Sequence, residues 1–356
     1  MNYKAITIIL VIVFLCLGRE NATAAVQDTL ITDERHIREQ LQLAEDLFNS
    51  DIRQSLIHSR QALAGANVIH SEMLIAESEL MVGKCFDYLG ANIEALENLK
   101  HALAIYDSLN MASQKTNALR LIGNIYYYAA EYGLAMRYYK EVHLNSIALK
   151  DTSLMIHAMI GEGSIYGNTG KYDSAIILFR DAFRLSKAIG DKATEVQCLF
   201  FIGDVYIELK KPDSALTIFG EVEREYDLEK INSRYLPSLY NSKTFAYILK
   251  RNADSARYYN RKTSETLRKY PRTAIQTYCL FNRFRIDTLE HNYLSAIQSY
   301  MRYNSVNDSI NKESLKYQLA NFEIVYELEK KEREIDRLTH ENILKDLSLK
   351  QRRIIN

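Results

Sequence analysis

Residues 161–175, GEGSIYGNTGKYDSA, place four glycines and a lysine close together in a pattern that could bind phosphate. Glycine-rich loops bind phosphate because their backbone N–H groups can approach the anion closely. A P-loop requires glycine at position 165 and serine or threonine after the lysine, where this chain has Ile165 and Tyr172. A dinucleotide fingerprint requires glycine at position 166, where Tyr166 stands. The spacing therefore argues against both nucleotide sites, and the glycines need another explanation.

Other residue types that support catalysis or metal binding lack the required spacing. The chain has eight histidines, but no two are spaced as metal ligands on one helix with a carboxylate partner. Neither a Gly-x-Ser-x-Gly elbow nor a Cys-x-x-Cys pair occurs. Lys plus Arg and Asp plus Glu both total 45, so no basic excess indicates a nucleic-acid partner. We expect a protein that is not an enzyme, that holds no metal or cofactor, and that binds no nucleic acid through residues 1–356.

An internal repeat explains the glycines. Four stretches align with their first glycines at positions 83, 123, 163 and 203, an interval of 40 residues. An aromatic residue follows three positions after each glycine, an alanine twelve positions after it, and a large apolar residue four positions further on. Small residues let two helices cross closely, while the larger side chains fill the space beside the crossing. The repeated small residues are Gly83, Gly123, Gly163, Gly203, Ala95, Ala135, Ala175 and Ala215.

Gly-x-x-Tyr followed by Ala-x-x-x-Phe resembles the tetratricopeptide repeat (TPR), whose units are pairs of antiparallel helices. The usual period is about 34 residues, so the interval here implies longer helices or loops. Weaker flanking units keep Ala256 and Ala296 at the alanine position. The resemblance implies an all-α fold, a TPR-like α-α superhelical solenoid of about seven helical hairpins followed by a long C-terminal helix. In that fold Gly163 is a packing glycine, and Gly170 lies in the turn between two helices.

The first 24 residues have the layout of a secretory signal peptide. Lys4 precedes an apolar run from Ala5 to Leu17, and the sequence Ala-Thr-Ala at positions 22–24 provides a small-residue cleavage site. The apolar run is too short for a comfortable membrane span, although an uncleaved signal anchor is the alternative. We therefore expect residues 1–24 to be a signal peptide and the mature chain to be exported to the periplasm.

The solenoid is expected to cover residues 25–311, and the composition changes from Lys312 onward. Residues 312–356 contain no glycine or proline and are dense in charge, which predicts one long helix. A seam asparagine fixes the register of a coiled coil, whereas seam lysines weaken it. A homodimer through this helix and a single amphipathic helix that caps the solenoid therefore both remain open. A heptad pattern can be drawn through this helix, and the residues that would form its coiled-coil seam are Ile324, Leu328, Lys331, Ile335, Leu338, Asn342, Lys345 and Leu349.

The order of these segments is similar to that of a family of bacterial membrane-bound regulators. Those proteins carry an exported TPR region, a charged helix like ELEKKEREIDRLTHENILKDLSLKQRR, a membrane span and a cytoplasmic helix-turn-helix or histidine-kinase module. The resemblance implies that this chain is the sensor region, and that membrane attachment would come only from sequence beyond residue 356. Lys350, Arg352 and Arg353 depart from that pattern because they would lie on the exported side of a span, against the positive-inside tendency.

The first helix of each TPR hairpin lines the concave face of the solenoid. Candidates for a partner-binding groove are therefore residues one turn from a packing glycine that lie off the buried stripe. Arginine beside tyrosine is typical of binding hot spots, although each candidate could instead be ordinary surface or packing between units. The candidates are Lys84, Asp87, Tyr88, Arg120, Asn124, Tyr127, Tyr128, His157, Ser164, Asn168, Asp204 and Glu208.

Three functions are compatible with these features. The first is a non-catalytic scaffold that binds a protein or peptide and signals through its C-terminal helix to a membrane-bound output. The second is a free-standing periplasmic adaptor, and the third is a helical protein that binds a small ligand in a pocket between units. We expect the first, because it accounts for the leader, the repeats and the charged helix together.

Overall fold

The computed structural model describes residues 33–355, which form fifteen α-helices and no strand. Fourteen of these helices pair into seven hairpins, and the short α11 is inserted before the sixth. The predicted all-α class and the number of hairpins are therefore confirmed. The helices are α1 (Glu34–Leu47), α2 (Ile52–Val68), α3 (Glu72–Leu89), α4 (Asn92–Ser108), α5 (Ala112–Tyr128), α6 (Tyr132–Leu149), α7 (Thr152–Asn168), α8 (Tyr172–Ile189), α9 (Lys192–Glu208), α10 (Pro212–Glu225), α11 (Leu228–Asn232), α12 (Tyr235–Leu249), α13 (Ala253–Lys269), α14 (Thr273–Leu289) and α15 (Tyr293–Ile355).

The chain divides into two units. Unit 1 ends at Ala118 and unit 2 begins at Leu119, so the division falls inside α5. The described part of unit 1 comprises α1 to α4 and the first part of α5. The described part of unit 2 comprises the rest of α5 and all later helices.

Small residues on one helix of a hairpin face large side chains on the other. A Cβ atom on Gly163 in α7 would lie 2.8 Å from Cε1 of Phe179 in α8. In unit 1, a Cβ atom on Gly83 in α3 would lie 2.8 Å from Cγ of Leu99 in α4. A larger residue at either glycine would collide, so these positions set how closely the helices approach. The alanines on the second helices are fully buried, and they are Ala95, Ala135, Ala175 and Ala215.

Short turns that contain a left-handed residue connect the helices, and an aspartate caps some of the helices that follow. Gly170, between α7 and α8, has a φ of +77°, which only glycine adopts without strain. Asp151 begins α7 by accepting a 2.9 Å hydrogen bond from the backbone N–H of Leu154. Asp191 begins α9 in the same way, accepting from Thr194 N–H at 3.1 Å. Such caps satisfy N–H groups that have no partner inside the helix. The glycine-rich stretch is therefore part of a helix and of a turn.

The last helix, α15, runs without a break from Tyr293 to Ile355 over 63 residues. It combines the second helix of the seventh hairpin with the charged tail, and no helix boundary occurs near residue 312. The reason is local, because no glycine or proline between residues 293 and 355 interrupts the backbone hydrogen bonds.

The signal peptide predicted at residues 1–24 lies outside the described residues. Across residues 33–355, every helix is either too short or too polar to cross a bilayer.

Candidate binding groove

A groove with a volume of about 760 Å³ runs along one face of unit 2. Its lining comes mainly from the first helices of successive hairpins, α7, α9, α12 and α14. Three side-chain hydrogen bonds join neighbouring helices of this set at similar offsets of 38, 41 and 34 residues, which shows that α9, α12 and α14 run in the same direction. The bonded pairs are Ser242 with Asp204, Asn282 with Asn241, and Arg272 with Ser238.

The floor of the groove is aromatic. Phe200 on α9 stacks against Tyr235 on α12 with 5.4 Å between ring centroids, and Phe201 stacks against Phe179 on α8 at 5.0 Å. Tyr278 on α14 also lines the groove and is 58% exposed. Because the stacked rings are held by their neighbours, the floor offers apolar surface without a further loss of side-chain freedom on binding.

Side-chain amides lie beside the aromatic floor. The Nδ2 group of Asn282 donates a 3.0 Å hydrogen bond to Oδ1 of Asn241, which joins α14 to α12. The Nδ2 group of Asn168 donates to the hydroxyl of Tyr127 at 2.9 Å, which joins α7 to α5. A carboxamide carries two N–H groups and an acceptor oxygen. The half-buried Asn241 and the exposed Asn168 can therefore also bond to the backbone of an extended peptide.

Two carboxylates lie one helical turn apart at the carboxyl end of α9. Asp204 and Glu208 both line the groove, and Ser242 donates a hydrogen bond to Oδ1 of Asp204 at 3.5 Å. Solvent still reaches the Asp204 side chain along the groove. Desolvation by the neighbouring helices raises the pKa of Asp204 from 3.8 to about 7, and the charge of Glu208 acts in the same direction. Among the described residues, neither carboxylate forms an ion pair.

One arginine lines the groove. Arg272 immediately precedes α14, where it donates to the hydroxyl of Ser238 at 2.9 Å and to the carbonyl of Arg234 at 3.3 Å. Ser238 lies one helical turn along α12 from Ser242, which bonds to Asp204. The groove therefore carries both a cation, Arg272, and two carboxylates, Asp204 and Glu208.

The predicted groove residues of unit 2 fall into two sets. The first set lines the groove and comprises Tyr127, Ser164, Asn168, Asp204 and Glu208. The second set lies elsewhere: Arg120 is half-buried, Tyr128 is exposed, Asn124 accepts a 2.7 Å hydrogen bond from Tyr139, and Nδ1 of His157 lies 2.7 Å from the carbonyl oxygen of Ser153.

The predicted groove residues of unit 1 form a local cluster of their own. The ammonium group of Lys84 pairs with Glu45 at 2.7 Å and lies 5.0 Å from the ring centroid of Phe48. Tyr88 packs edge-on against the same ring at 5.5 Å. Asp87 is half-buried beside them in sequence, and burial raises the pKa of its carboxyl group. These contacts hold α1 against α3.

The residues of α12 and α14 that line the groove were not among the sequence candidates. The repeat signature is degraded there, since Thr244 and Phe284 occupy the positions of the packing glycines. One signal could have found the amides, because the spacing of Asn241 and Asn282 is 41 residues, nearly the repeat interval. The missed residues include Tyr235, Asn241, Phe245, Arg272, Tyr278, Phe281 and Asn282.

Two histidines each pair with a single carboxylate on a neighbouring helix. Nδ1 of His143 in α6 lies 2.8 Å from Oε1 of Glu162 in α7, and His101 in α4 pairs with Glu79 in α3. Throughout residues 33–355, no three His, Cys, Asp or Glu side chains converge as metal ligands. The pairs therefore join adjacent helices.

The amino-acid sequence was compared with models of known protein families and with curated proteins. The family model described as tetratricopeptide repeat matches residues 156–189, which cover most of the α7/α8 hairpin. No curated protein is significantly similar to the chain in sequence.

Three solved structures share its fold. A signal transduction ATPase with a tetratricopeptide repeat sensor, from Pyrococcus horikoshii, has a TM-score of 0.64 at 15% identity over 79% of this chain and 44% of that one. Aspartyl phosphate phosphatase F from Bacillus subtilis has a TM-score of 0.61 at 14% identity over 76% of this chain and 70% of that one. A Rap conjugation gene regulator in complex with a Phr peptide has a TM-score of 0.56 at 12% identity over 77% and 74%.

The chain thus contains a tetratricopeptide repeat at residues 156–189, and its described residues have a TPR-like helical fold. The predicted TPR-like fold is therefore confirmed. At such low identities the likeness concerns the fold, and the activities of the three solved proteins remain their own.

Proposed function

We propose that this chain is a non-catalytic scaffold that binds an extended peptide, either free or as a segment of a protein, in the groove of unit 2. The observation that carries the proposal is the groove itself, which is about 760 Å³ in volume and is lined mainly by the first helices of four successive hairpins. A volume of several hundred Å³ suits a small ligand or a few peptide residues. The complex of the structurally similar Rap regulator with a Phr peptide supports this class of partner.

The groove offers the two kinds of contact that an extended peptide needs. Its backbone groups require hydrogen-bond partners, which Asn241, held by Asn282, and Asn168, held by Tyr127, would supply. Its apolar side chains require desolvated surface, which the rings of Phe200 and its neighbours supply. The hydrogen bonds to the peptide backbone would give affinity, and the aromatic floor would select side chains.

We further propose that the scaffold works outside the cytoplasm as the sensor part of a membrane-bound regulator. The leader-like residues 1–24 support export. The arrangement of the last hairpin supports signalling, because α14 lines the groove and α15 continues for 63 residues from the same hairpin. At about 1.5 Å per residue, α15 is about 95 Å long and could transmit a change at α14 over that distance. A free-standing periplasmic adaptor would use the same groove without such an output.

The test uses two exposed tyrosines that differ in position. Tyr278 lines the groove and Tyr326 lies on α15, and each is 58% exposed. Peptides that bind the full chain are first selected from a displayed random heptapeptide library. The affinity of a selected, fluorescently labelled peptide is then measured by anisotropy for Tyr278→Ala and Tyr326→Ala. We expect Tyr278→Ala to weaken binding about tenfold, since an interface aromatic contributes 1–2 kcal/mol or more. An equal effect of both substitutions, or no selected peptide at all, would refute the proposed site.

A further inference from the structure

One face of α15 is apolar and exposed. The helix packs against α14 through its opposite face, where Ala296 and Ser299 are buried and the ring of Tyr303 lies 5.1 Å from that of Phe281. Since each residue turns a helix by about 100°, a set of large apolar residues falls within an arc of about 100° on the other side. Each is more than half exposed, and the residues of this exposed stripe are Tyr293, Leu294, Ile297, Met301, Leu315, Leu319 and Tyr326.

The exposed stripe is larger than ordinary apolar surface. Single exposed apolar side chains are common on proteins, whereas apolar patches above about 300–600 Å² mark sites of interaction. The stripe spans residues 293–326, about 50 Å of helix, and its side chains expose on the order of 700 Å². A stable interface buries about 800 Å² on each partner. The stripe is therefore large enough to bind a second protein chain.

The exposed stripe consists of two apolar groups that are symmetric about residue 310. Met301 and Leu319 each lie nine positions from residue 310, and Leu294 and Tyr326 each lie sixteen positions from it. When two copies of α15 lie antiparallel with their residues 310 opposite each other, Met301 of each copy faces Leu319 of the other. Leu294 faces Tyr326 in the same way. This face of the helix is therefore complementary to itself, as the interface of a two-fold dimer must be.

We propose that the exposed stripe is a docking surface for a second copy of this chain, with the two α15 helices packed antiparallel about residue 310. Charge complementarity selects this partner and this orientation. Asp308 and Lys312 are both exposed between the two apolar groups, each two positions from residue 310. In the antiparallel pair, Asp308 of each copy faces Lys312 of the other, which gives two ion pairs. A parallel pair in register places each of these residues opposite its own copy, and opposed like charges cost affinity.

Pairing through the exposed stripe leaves the groove open. Among the described residues that line the groove, none belongs to α15. The dimer therefore carries two grooves, and a partner with two suitable segments binds more tightly because its second segment is held near the second groove. The two α15 helices end in opposite directions, so the pair forms between chains whose C-terminal ends are not both held in one membrane. Dimerisation itself does not depend on the peptide-binding function proposed above.

Sedimentation velocity of the full chain over a range of concentrations measures the association. Met301 is 65% exposed in the stripe and Leu144 on α6 is 69% exposed outside it, so the two residues provide a matched pair of substitutions. We expect the wild type and Leu144→Glu to dimerise, and Met301→Glu to dimerise at least about tenfold more weakly. The melting temperatures of both variants should match that of the wild type, because both residues are exposed. A wild type that stays monomeric, or equal association of the two variants, would overturn the proposal.

Cross-linking tests the orientation of the pair. Chains with Met301→Cys and chains with Leu319→Cys are oxidised separately and as a mixture, and the wild type controls for the native cysteines, of which Cys85, Cys198 and Cys279 are buried. In the antiparallel pair the two copies of position 301 are about 27 Å apart, whereas a disulfide requires Cα atoms within about 7 Å. We expect a cross-linked dimer in the mixture only. Cross-linking within each separate sample would show a parallel pair, and cross-linking in none of the samples would show that the stripe does not pair about residue 310, so either result would overturn the proposed interface.

Discussion

Asn282 on α14 donates its side-chain hydrogen bond to Asn241 on α12 over 3.0 Å, and both residues line the groove. Asn282 is almost fully buried, whereas the groove residue Asn168 is exposed. Truncating a buried amide leaves its partner without a bond, which costs about 1–3 kcal/mol, whereas an exposed amide is replaced by water. We therefore expect Asn282→Ala to lower the free energy of unfolding by about 1–2 kcal/mol and Asn168→Ala by much less. Urea denaturation of both variants measures the difference, and equal losses would contradict the role given to Asn282.

Hairpin closure can be tested by a matched pair of glycines. A Cβ on Gly163 would meet the ring of Phe179 at 2.8 Å, whereas a Cβ on Gly133 in α6 would have no atom within 4 Å. Gly163→Ala should therefore lower the melting temperature by several degrees, since overpacking costs about 1–3 kcal/mol. Gly133→Ala should leave it unchanged or raise it, because alanine favours helix by about 1 kcal/mol. Calorimetry distinguishes the two, and a Gly163→Ala chain that melts like the wild type would show that the repeat is wrongly aligned.

The pKa of Asp204 predicts a pH dependence of stability. Desolvation raises this pKa from 3.8 to about 7 in the folded chain, while the unfolded chain keeps the ordinary value. Between about pH 4 and pH 7 the folded chain therefore holds a proton that the unfolded chain releases, so the stability contributed by protonated Asp204 is lost as pH rises. Relative to Asp204→Asn, the wild type should be less stable at pH 8 than at pH 5. Urea midpoints at both pH values test this, and a difference that does not change with pH would contradict the raised pKa.

Export predicts a defined N-terminus. If the leader is cleaved after the Ala-Thr-Ala sequence at positions 22–24, the mature chain begins at Ala25. Intact-mass measurement of protein recovered from the periplasm of the producing bacterium should give this residue. A chain that keeps Met1 in the membrane fraction would favour the uncleaved signal anchor instead.

The sequence predicts the hairpins because their determinants are local. Gly163 and Phe179 are sixteen positions apart and contact each other within one hairpin, so their spacing alone indicates the contact. The uninterrupted helix from Tyr293 also follows from a local property, the absence of glycine and proline. The change in composition at residue 312 falls inside this helix, because a change in charge does not end a helix, and the division between solenoid and charged segment there stays a prediction.

The groove is harder to predict because it joins residues from successive repeats. Asp204 and Asn168 could be chosen from their positions beside packing glycines. Tyr278 and Asn282 could not, since α14 no longer carries the glycine signature that would set its phase. The environment of Asp204 also depends on Ser242, 38 residues later, and such a contact is visible only once the stacking of the helices is known.

Binding of a peptide by unit 2 along α9, α12 and α14 can be measured by hydrogen–deuterium exchange of the full chain with and without a selected peptide. We expect added protection in residues 192–208, 235–249 and 273–289, where the groove lies, and unchanged exchange in residues 33–118. Protection confined to residues 33–118, or none in the three groove helices at a saturating peptide concentration, would contradict it.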